Sequence, residues 1–164
     1  TRWCRLSDAD AGYDNFLSFT SAMTDAVILA QQIVTIAEMR GLGTCYLGTV
    51  AYNAPEIAAL LKLPELVVPV ACLAIGWPAD RGTESERLGV DAVLFEGTYP
   101  QLSDKELLKN YEAKDLYAPN EQFVKENGKR NLAQVFAEIR YPRSTNEPIS
   151  EKLLAYLKRA GFMK

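Results

Sequence analysis

The strongest structural signal in this chain is the stretch Gly41-Leu42-Gly43-Thr44-Cys45-Tyr46-Leu47-Gly48-Thr49-Val50, which places three glycines within eight residues. It follows an apolar run with helical spacing. A glycine just past the last helical turn can adopt the left-handed conformation that closes off free carbonyl groups. We therefore predict that a helix stops at Gly41 and Gly43, and that an extended run containing Gly48 follows.

Two interpretations of these glycines are open on the residues alone. They cap a helix and let one strand pass close to another, or they let the backbone approach a flat ligand closely. A Rossmann dinucleotide loop is a poorer fit, because G-x-G-x-x-G requires a glycine where Tyr46 stands and a helix directly after it.

The segment before the glycines predicts a long helix. Thr20 or Ser21 can cap its start, and the helix runs to about Arg40. Its apolar residues cover more than one face, which indicates burial from two sides. A central core helix and a helix at a subunit interface both satisfy this pattern.

The rest of the chain alternates further elements without a break typical of a domain boundary, so its 164 residues suit one domain. Helices are predicted at residues 55–63, from a capping box at 103–106 to about 116, at 131–139, and from a Ser150 cap to Gly161. A strand buried on both faces is predicted at 67–75 and a short extended piece at 92–95, whereas 118–129 and 141–148 are predicted as loops.

Composition excludes some classes of function. The net charge of −3 and the pI near 5.1 argue against nucleic-acid binding, and no basic patch with interleaved aromatic residues is present. The longest apolar runs, such as residues 66–75, fall short of the roughly 20 residues that cross a bilayer, and no signal peptide opens the chain. We expect neither a nucleic-acid nor a membrane partner.

The chain has no histidine, and Cys4, Cys45 and Cys72 lack metal-ligand spacing. These features exclude Ser-His and Cys-His catalysis within the chain and disfavour a metal site. Cys45 and Cys72 stand in apolar surroundings and are predicted to be small buried side chains. Free cysteines of this kind indicate the reducing cytoplasm.

An ordered set of short motifs runs from about Phe16 to Tyr99. The set comprises Asp25, Gln31-Gln32, the glycine stretch, Leu60-Leu61-Lys62-Leu63-Pro64, Pro69, Gly76-Trp77-Pro78 and Arg87-Leu88, with Asn131-Leu132-Ala133-Gln134 and Gly161-Phe162 further on. In this order it resembles the FMN-dependent nitroreductase family, and most closely its larger, NADPH-preferring branch of nitroreductases and flavin reductases. The arginine-rich N-terminal segment of that family has no counterpart in Thr1-Arg2-Trp3-Cys4-Arg5, so residues 1–164 are interpreted as a single nitroreductase-like domain that lacks it.

The resemblance implies an α+β fold with a mixed sheet flanked by helices, and a long central helix at a homodimer interface. It implies a cytoplasmic FMN-dependent oxidoreductase that passes hydride from NADPH through the flavin to a nitroaromatic, quinone or flavin acceptor. No catalytic side chain is predicted, because the chemistry belongs to the flavin. Two alternatives stay open: a truncated, dimer-forming remnant that no longer binds flavin, and a flavin-dependent dehalogenase or dehydrogenase of the same fold.

The resemblance also implies particular site residues. Those matching the backbone segment beside the flavin ring are Tyr46, Leu47, Gly48 and Thr49. A glycine there removes the side chain that would keep a planar ring at a distance, and amide donors can then bond its polar edge. Tyr46 is alternatively an ordinary strand aromatic.

Two charged sets complete the prediction. Arg87 matches the arginine that reaches the FMN phosphate, although Glu84 and Glu86 beside it would oppose a phosphate, and a solvated surface charge is the alternative. Residues 125–130 resemble the mobile loop that contacts the NADPH phosphate. Its cations are Lys125, Lys129 and Arg130, which are alternatively part of a solvated loop.

Overall fold

A computed structural model describes residues 1–80 and 82–163. The chain divides into two compact units, one formed by Thr1–Arg81 with Glu147–Lys164 and the other by Gly82–Asn146. In the first unit the chain forms α1 (Arg2–Leu6), α2 (Phe16–Met39), β1 (Gly43–Leu47), a 3₁₀ helix (Gly48–Asn53), α3 (Ala54–Leu60) and β2 (Cys72–Gly76). In the second it forms a 3₁₀ turn (Val90–Ala92), α4 (Asp104–Asp115), α5 (Ala118–Glu126), α6 (Leu132–Gln134) and a π-helical segment (Val135–Arg140); α7 (Arg143–Arg159) starts there and continues into the first unit.

The predicted end of α2 is confirmed, and its predicted start is wrong. Gly41 has φ +81°, and the N–H groups of Gly41 and Leu42 donate to the carbonyls of Glu38 and Ala37. This is the Schellman pattern, which needs the left-handed conformation that glycine adopts without cost. The helix begins at Phe16, and its cap is Asn15 and not Thr20 or Ser21, because the side chain of Asn15 accepts a 2.9 Å hydrogen bond from the N–H of Ser18.

The long helix α2 is mostly uncovered. Only Val34 and Ala37 are buried, whereas large apolar side chains along it are exposed, among them Leu17, Val27, Ile28, Leu29, Ile33 and Ile36. By length and composition alone it is the one helix in the described residues that could cross a membrane, which corrects the expectation that no segment reaches this length. A core helix of a water-soluble protein passes the same test.

The sheet is smaller and more exposed than predicted. Strands β1 and β2 pair antiparallel, with Gly43 opposite Gly76 and Leu47 opposite Cys72, and no further strand joins them in the described residues. The expected mixed sheet is therefore a two-stranded one here. Strand β2 begins only at residue 72, and most of it is exposed, so the predicted burial of 67–75 on both faces is wrong.

The prediction that Cys45 and Cys72 are buried is wrong for the same reason. Cys45 and Cys72 are both exposed, whereas Cys4 is buried. Apolar neighbours in the sequence predict burial only when another layer covers the strand, and these strands have no such layer among the described residues. The predicted extended run past β1 is also wrong, because Gly48 opens a 3₁₀ helix.

Helix α3 ends at Leu60, earlier than the predicted 63, in the same hydrogen-bonding pattern as α2. The N–H groups of Lys62 and Leu63 donate to the carbonyls of Ala59 and Ala58. The residue in the left-handed position is Lys62, with φ +52°. A side chain with a Cβ is strained in this conformation.

We expect Lys62→Gly to raise the free energy of unfolding by about 0.5–1 kcal/mol, because glycine adopts the left-handed conformation without strain. The higher conformational entropy of glycine in the unfolded chain offsets part of this stabilisation. Urea titration of both proteins measures the difference. Lys62→Ala is the control, since it removes the exposed amine and keeps the strain. A Lys62→Ala variant stabilised as much as Lys62→Gly would assign the effect to charge.

Helix α7 begins within the segment predicted as a loop, so Ser150 does not cap it. The N–H groups of Thr145 and Asn146 donate to the carbonyl of Pro142 and close a first turn before Pro148, which lies inside the helix. Its predicted end at Gly161 is confirmed, because the N–H of Phe162 donates to the carbonyl of Leu157.

Within the first unit, an ion pair and two hydrogen bonds connect α7 and the residue after it to α3 and to the residues that follow α3. Lys152 Nζ lies 2.6 Å from Glu56 Oε1, the N–H of Leu66 donates to the carbonyl of Ala160 over 2.8 Å, and the hydroxyl of Tyr156 donates to the carbonyl of Val67 over 3.3 Å. These bonds join segments that are distant in sequence. They position the C-terminal helix against α3.

The Glu56–Lys152 pair predicts a pH dependence of stability. The hydrogen bond from Lys152 holds the pKa of Glu56 below its ordinary value of 4.5. A lowered carboxyl pKa stabilises the fold above the unfolded-state pKa, and this contribution is lost as the pH falls through the folded-state value. Glu56→Gln should therefore lower the free energy of unfolding at neutral pH and have no effect well below pH 4.5.

Urea titrations across that pH range check this prediction. Glu151→Gln is the matched control, because Glu151 is an exposed carboxylate on the same helix as Lys152. A Glu56→Gln deficit that persisted unchanged in acid would rule out the ion pair as its source.

In the second unit, the capping box is confirmed and three other predictions are corrected. Ser103 and Glu106 bond each other's backbone at the start of α4. Residues 118–129 are mostly helix α5, which has a proline in its first turn, where no N–H is needed. Residues 92–95 are not extended, because the N–H groups of Val93 and Leu94 turn back to the carbonyl of Val90. The predicted helix at 131–139 is the short α6 followed by the π-helical segment.

Candidate functional site

The predicted flavin-ring residues lie at the exposed end of β1. Tyr46 and Leu47 are 40% and 43% exposed, and Gly48 and Thr49 follow in the 3₁₀ helix. A Cβ placed on Gly48 would meet no heavy atom within 4 Å. The backbone of residues 46–49 therefore borders open space, where a planar group could lie against it.

Contacts on the other end of β1 hold this segment in place. The hydroxyl of Thr44 donates a 2.6 Å hydrogen bond to Glu38 Oε1, which ties the strand to the last turn of α2. A Cβ on Gly43 would lie 3.5 Å from the Cβ of Pro78, so the chain after β2 passes closely there. The helix end and the turn after β2 thus hold the start of β1, and pairing with β2 at Leu73 and Cys72 continues along the strand to Tyr46 and Leu47.

Arg87 lies in the second unit, in an irregular segment before the 3₁₀ turn. Its side chain is exposed, and no ion pair or hydrogen bond engages it among the residues that the structure describes. The carbonyl of nearby Glu84 accepts a 3.1 Å hydrogen bond from the hydroxyl of Tyr117, which anchors the backbone of this segment to the start of α5. An exposed guanidinium without a described partner is available for an anionic ligand.

Of the three predicted loop cations, Lys125 lies in the last turn of α5, and Lys129 and Arg130 lie in the tight turn between α5 and α6. Gly128, with φ +61°, closes α5, and the side chain of Asn131 caps α6 by accepting a 2.9 Å hydrogen bond from the N–H of Gln134. Both elements that flank the turn are thus closed by local hydrogen bonds, whereas the sequence predicted that residues 118–129 are mostly loop.

The cations themselves differ in their surroundings. Lys125 and Arg130 are exposed, whereas Lys129 Nζ lies 2.7 Å from Glu138 Oε2. All three line one groove of about 460 Å³, and Asp115 and Glu121 line it as well. Its three cations exceed these two carboxylates by one positive charge. We call it the cationic groove.

A second groove in this unit was missed by the sequence analysis. It has a volume of about 270 Å³ and lies between α4 and α6, lined by Leu107, Leu108, Tyr111, Lys114, Asp115, Leu132, Ala133 and Phe136. The signal was present, because residues 107, 108 and 111 share one face of α4 and residues 132 and 136 lie one turn apart. We call it the apolar groove.

Comparison with known proteins identifies the family. Residues 16–77 match the Nitroreductase family. A crystal structure of a Bacteroides fragilis protein superimposes with a TM-score of 0.96 at 39% identity, over 99% of this chain and 66% of that one. The chain belongs to the nitroreductase family. The predicted family and the α+β fold class are thereby confirmed.

Two curated members of the nitroreductase family show how far the similarity extends. The oxygen-insensitive NADPH nitroreductase of Salmonella typhimurium is 38% identical over 90 residues, which are 55% of this chain and 37% of that protein. The FMN reductase (NAD(P)H) of Bacillus subtilis is 35% identical over 124 residues, which are 72% of this chain and 49% of that protein. The chain spans about half the length of the curated relatives that it matches.

Proposed function

We propose that this chain is part of an FMN-dependent oxidoreductase that takes hydride from NADPH and reduces a nitroaromatic, quinone or flavin acceptor. The observation that carries the proposal is the open space over Gly48, between the exposed Tyr46 and Leu47 and the start of a 3₁₀ helix. The names of its relatives, an NADPH nitroreductase and an FMN reductase, support the same chemistry.

The residues present fit a flavin mononucleotide. When bound, FMN accepts hydride from the nicotinamide and passes it on. Gly48 allows close approach because it has no side chain, and the amide groups of residues 46–49 can donate to a polar ring edge. Arg87 supplies a guanidinium that matches a phosphate through two parallel hydrogen bonds.

The cationic groove is the proposed site for the phosphate that distinguishes NADPH from NADH. Lys125 and Arg130 are exposed and can pair with it, and Lys129 can exchange Glu138 for it, because that ion pair is partly exposed and worth little. Asp115 and Glu121 in the same groove reduce its net charge. A modest preference for NADPH follows.

We further propose that the protein is a homodimer. The chain exposes 13035 Å² of solvent-accessible surface, whereas a compact protein of 18.2 kDa exposes about 8,100 Å². Counting the two units as separate proteins raises that expectation only to about 10,000 Å². The excess includes the apolar side chains of α2, so this helix is the surface that we assign to the partner subunit.

A water-soluble, cytoplasmic protein is part of the same proposal. Helix α2 carries Asp25 and the pair Gln31 and Gln32 in its central turns. These polar groups would be costly in the hydrocarbon core of a bilayer. They suit a helix that is covered by protein instead.

The absorbance spectrum of the purified chain with added FMN tests the function. We expect a bound-flavin spectrum that bleaches with NADPH and recovers with a quinone or a nitroaromatic compound. A folded chain of confirmed mass that binds no FMN would contradict the proposal and leave the non-catalytic remnant as the interpretation. If the chain binds FMN but NADPH does not reduce the bound flavin, the result would favour the dehalogenase or dehydrogenase alternative.

A further inference from the structure

The two faces of the sheet formed by β1 and β2 carry side chains of different size. Thr44 points toward α2, because its hydroxyl donates to Glu38 in the last turn of that helix. Side chains alternate between the faces of a strand, so Cys45 points away from α2. The residues that share the face of Cys45 are small apart from one leucine: Gly43, Leu47, Cys72, Ala74 and Gly76. We call this side of the sheet the thiol face.

The thiol face is open to solvent. Cys45 and Cys72 are both exposed, and Leu47 beside them is 43% exposed. A Cβ on Gly76 would meet no heavy atom within 4 Å apart from its chain neighbours. The Cys45 thiol makes only a weak hydrogen bond of 3.7 Å to the carbonyl of the next residue. A ligand can therefore reach both sulfur atoms.

The strand register brings together two cysteines that are far apart in the sequence. Cys45 lies opposite Ala74 and Cys72 lies opposite Leu47, so the two thiols are diagonal neighbours on one face. Diagonal neighbours have Cα atoms about 7–8 Å apart, which exceeds the roughly 4.4–6.8 Å that a disulfide spans. Both cysteines are free. Spacing along the chain disfavoured a metal site, because it does not reveal a pair across two strands.

A metal ion between the sulfur atoms fits this separation better than a disulfide does. Metal–thiolate bonds are about 2.3 Å long, so two sulfur atoms on opposite sides of an ion lie about 4.6 Å apart. The described residues hold no group of three or more His, Cys, Asp or Glu side chains suited to a metal, which disfavours four-coordinate Zn²⁺. Thiolates select soft ions, and among these Cu(I) and Ag(I) accept two thiolates in a line.

We propose that Cys45 and Cys72 bind one soft monovalent ion, Cu(I) or Ag(I), across the thiol face. The ion replaces one proton on each sulfur, so two protons leave, and the oxidation states of the metal and of both sulfur atoms are unchanged. Neither ligand belongs to the proposed flavin or NADPH sites. Because the thiol face points away from α2, the proposal does not require the surface assigned to the partner subunit to be free.

Titration of the reduced, flavin-free chain with Cu(I), without oxygen and in competition with the chelator bicinchoninate, tests the proposal. We expect one tightly bound Cu(I) per chain, and X-ray absorption at the copper edge should show two sulfur ligands. Cys45→Ser and Cys72→Ser should each weaken binding by at least about a hundred-fold, because one thiolate is lost. Both side chains are exposed, so the fold should survive, and circular dichroism checks that it does.

Cys4→Ala is the matched control, because Cys4 is a buried cysteine on α1. It should leave the affinity for Cu(I) unchanged. A loss in Cys4→Ala equal to the loss in Cys45→Ser, or no loss in either serine variant, would overturn the site. One Cu(I) per two chains in native mass spectrometry would also overturn it, since each copy would then supply a single thiolate.

Two rescue variants test the geometry. Adding Ala74→Cys to Cys72→Ser returns a thiol to the thiol face, directly opposite Cys45, and should restore affinity to within about ten-fold of the original. Adding Ile75→Cys to Cys72→Ser places the thiol on the face toward α2 and should restore nothing. Rescue by both additions, or by neither, would overturn the assignment to this face.

Failure of the metal site is distinguishable from failure of the proposed function, because the titration uses no flavin and no NADPH. A chain that binds Cu(I) with the expected variant pattern, yet takes up no FMN, would contradict the oxidoreductase proposal alone. A chain that takes up FMN and is reduced by NADPH, yet holds Cu(I) equally well in the serine variants, would contradict the metal site alone.

Discussion

Gly48→Val should abolish FMN binding, with at least about a hundred-fold loss of affinity, and leave the fold intact. A Cβ on Gly48 would meet no heavy atom within 4 Å apart from its chain neighbours, so the flavin-free chain has room for a larger side chain at this position. A valine side chain would instead occupy the volume that the proposed flavin ring needs. A hundred-fold loss corresponds to about 2.7 kcal/mol.

Flavin fluorescence titration and urea titration together measure this prediction. The free energy of unfolding should change by less than about 1 kcal/mol, because Gly48 does not adopt a left-handed conformation. Gly12→Val is the control, since a Cβ there also meets open space and the residue is outside the proposed site. Full flavin content in Gly48→Val would remove Gly48 from the site.

Arg87→Ala should weaken FMN by about ten- to a hundred-fold and leave riboflavin unchanged. Hydrogen bonds to charged groups are worth about 1.5–3 kcal/mol, and riboflavin lacks the phosphate that would accept them. Because no described partner engages the Arg87 side chain, its removal leaves no unpaired group among the described residues. Arg87→Lys should give an intermediate loss, since lysine cannot form the paired contact.

Dissociation constants for both flavins, measured at several salt concentrations, check this result. Lys109→Ala is the charge-matched control on α4. Equal losses for FMN and riboflavin would show that Arg87 has no phosphate role. The expected pattern would also show that Glu84 and Glu86 do not prevent phosphate binding.

Local hydrogen bonding explains which parts of the structure were predictable. The end of α2 at Gly41, the end of α7 at Gly161 and the capping box at Ser103 and Glu106 all depend on residues within one or two turns of each other. The identity of those residues is sufficient to predict them. The family resemblance was equally accessible, because it depends on the order of short motifs.

Burial was not predictable, because it depends on what covers each element. The apolar residues of β2 and the two strand cysteines predict a buried strand, yet β1 and β2 pair only with each other in the described residues and remain exposed. An apolar run in the sequence shows only that a strand has side chains suited to burial. Whether a second layer lies over it is decided by segments far away in the chain.

Helix α5 and the start of α7 form in polar, proline-containing segments that were predicted to be loops. The proline of α5 lies in its first turn, where a missing N–H costs nothing, so the rest of the helix forms regardless. Pro148 lies further inside α7, where it removes one backbone hydrogen bond. Contacts of the later turns, such as the Lys152–Glu56 pair, hold that helix against α3 despite this loss.

The residues of this chain therefore specify its family, the ends of α2 and α7 and the capping box of α4, because each of these depends on neighbours in sequence. Only the three-dimensional arrangement shows that Lys129 already pairs with Glu138 and that a groove of leucines and aromatic rings shares a wall with the cations. These features join α4, α5 and α6 through space, and the separate sequence patterns of the three helices do not encode their contact.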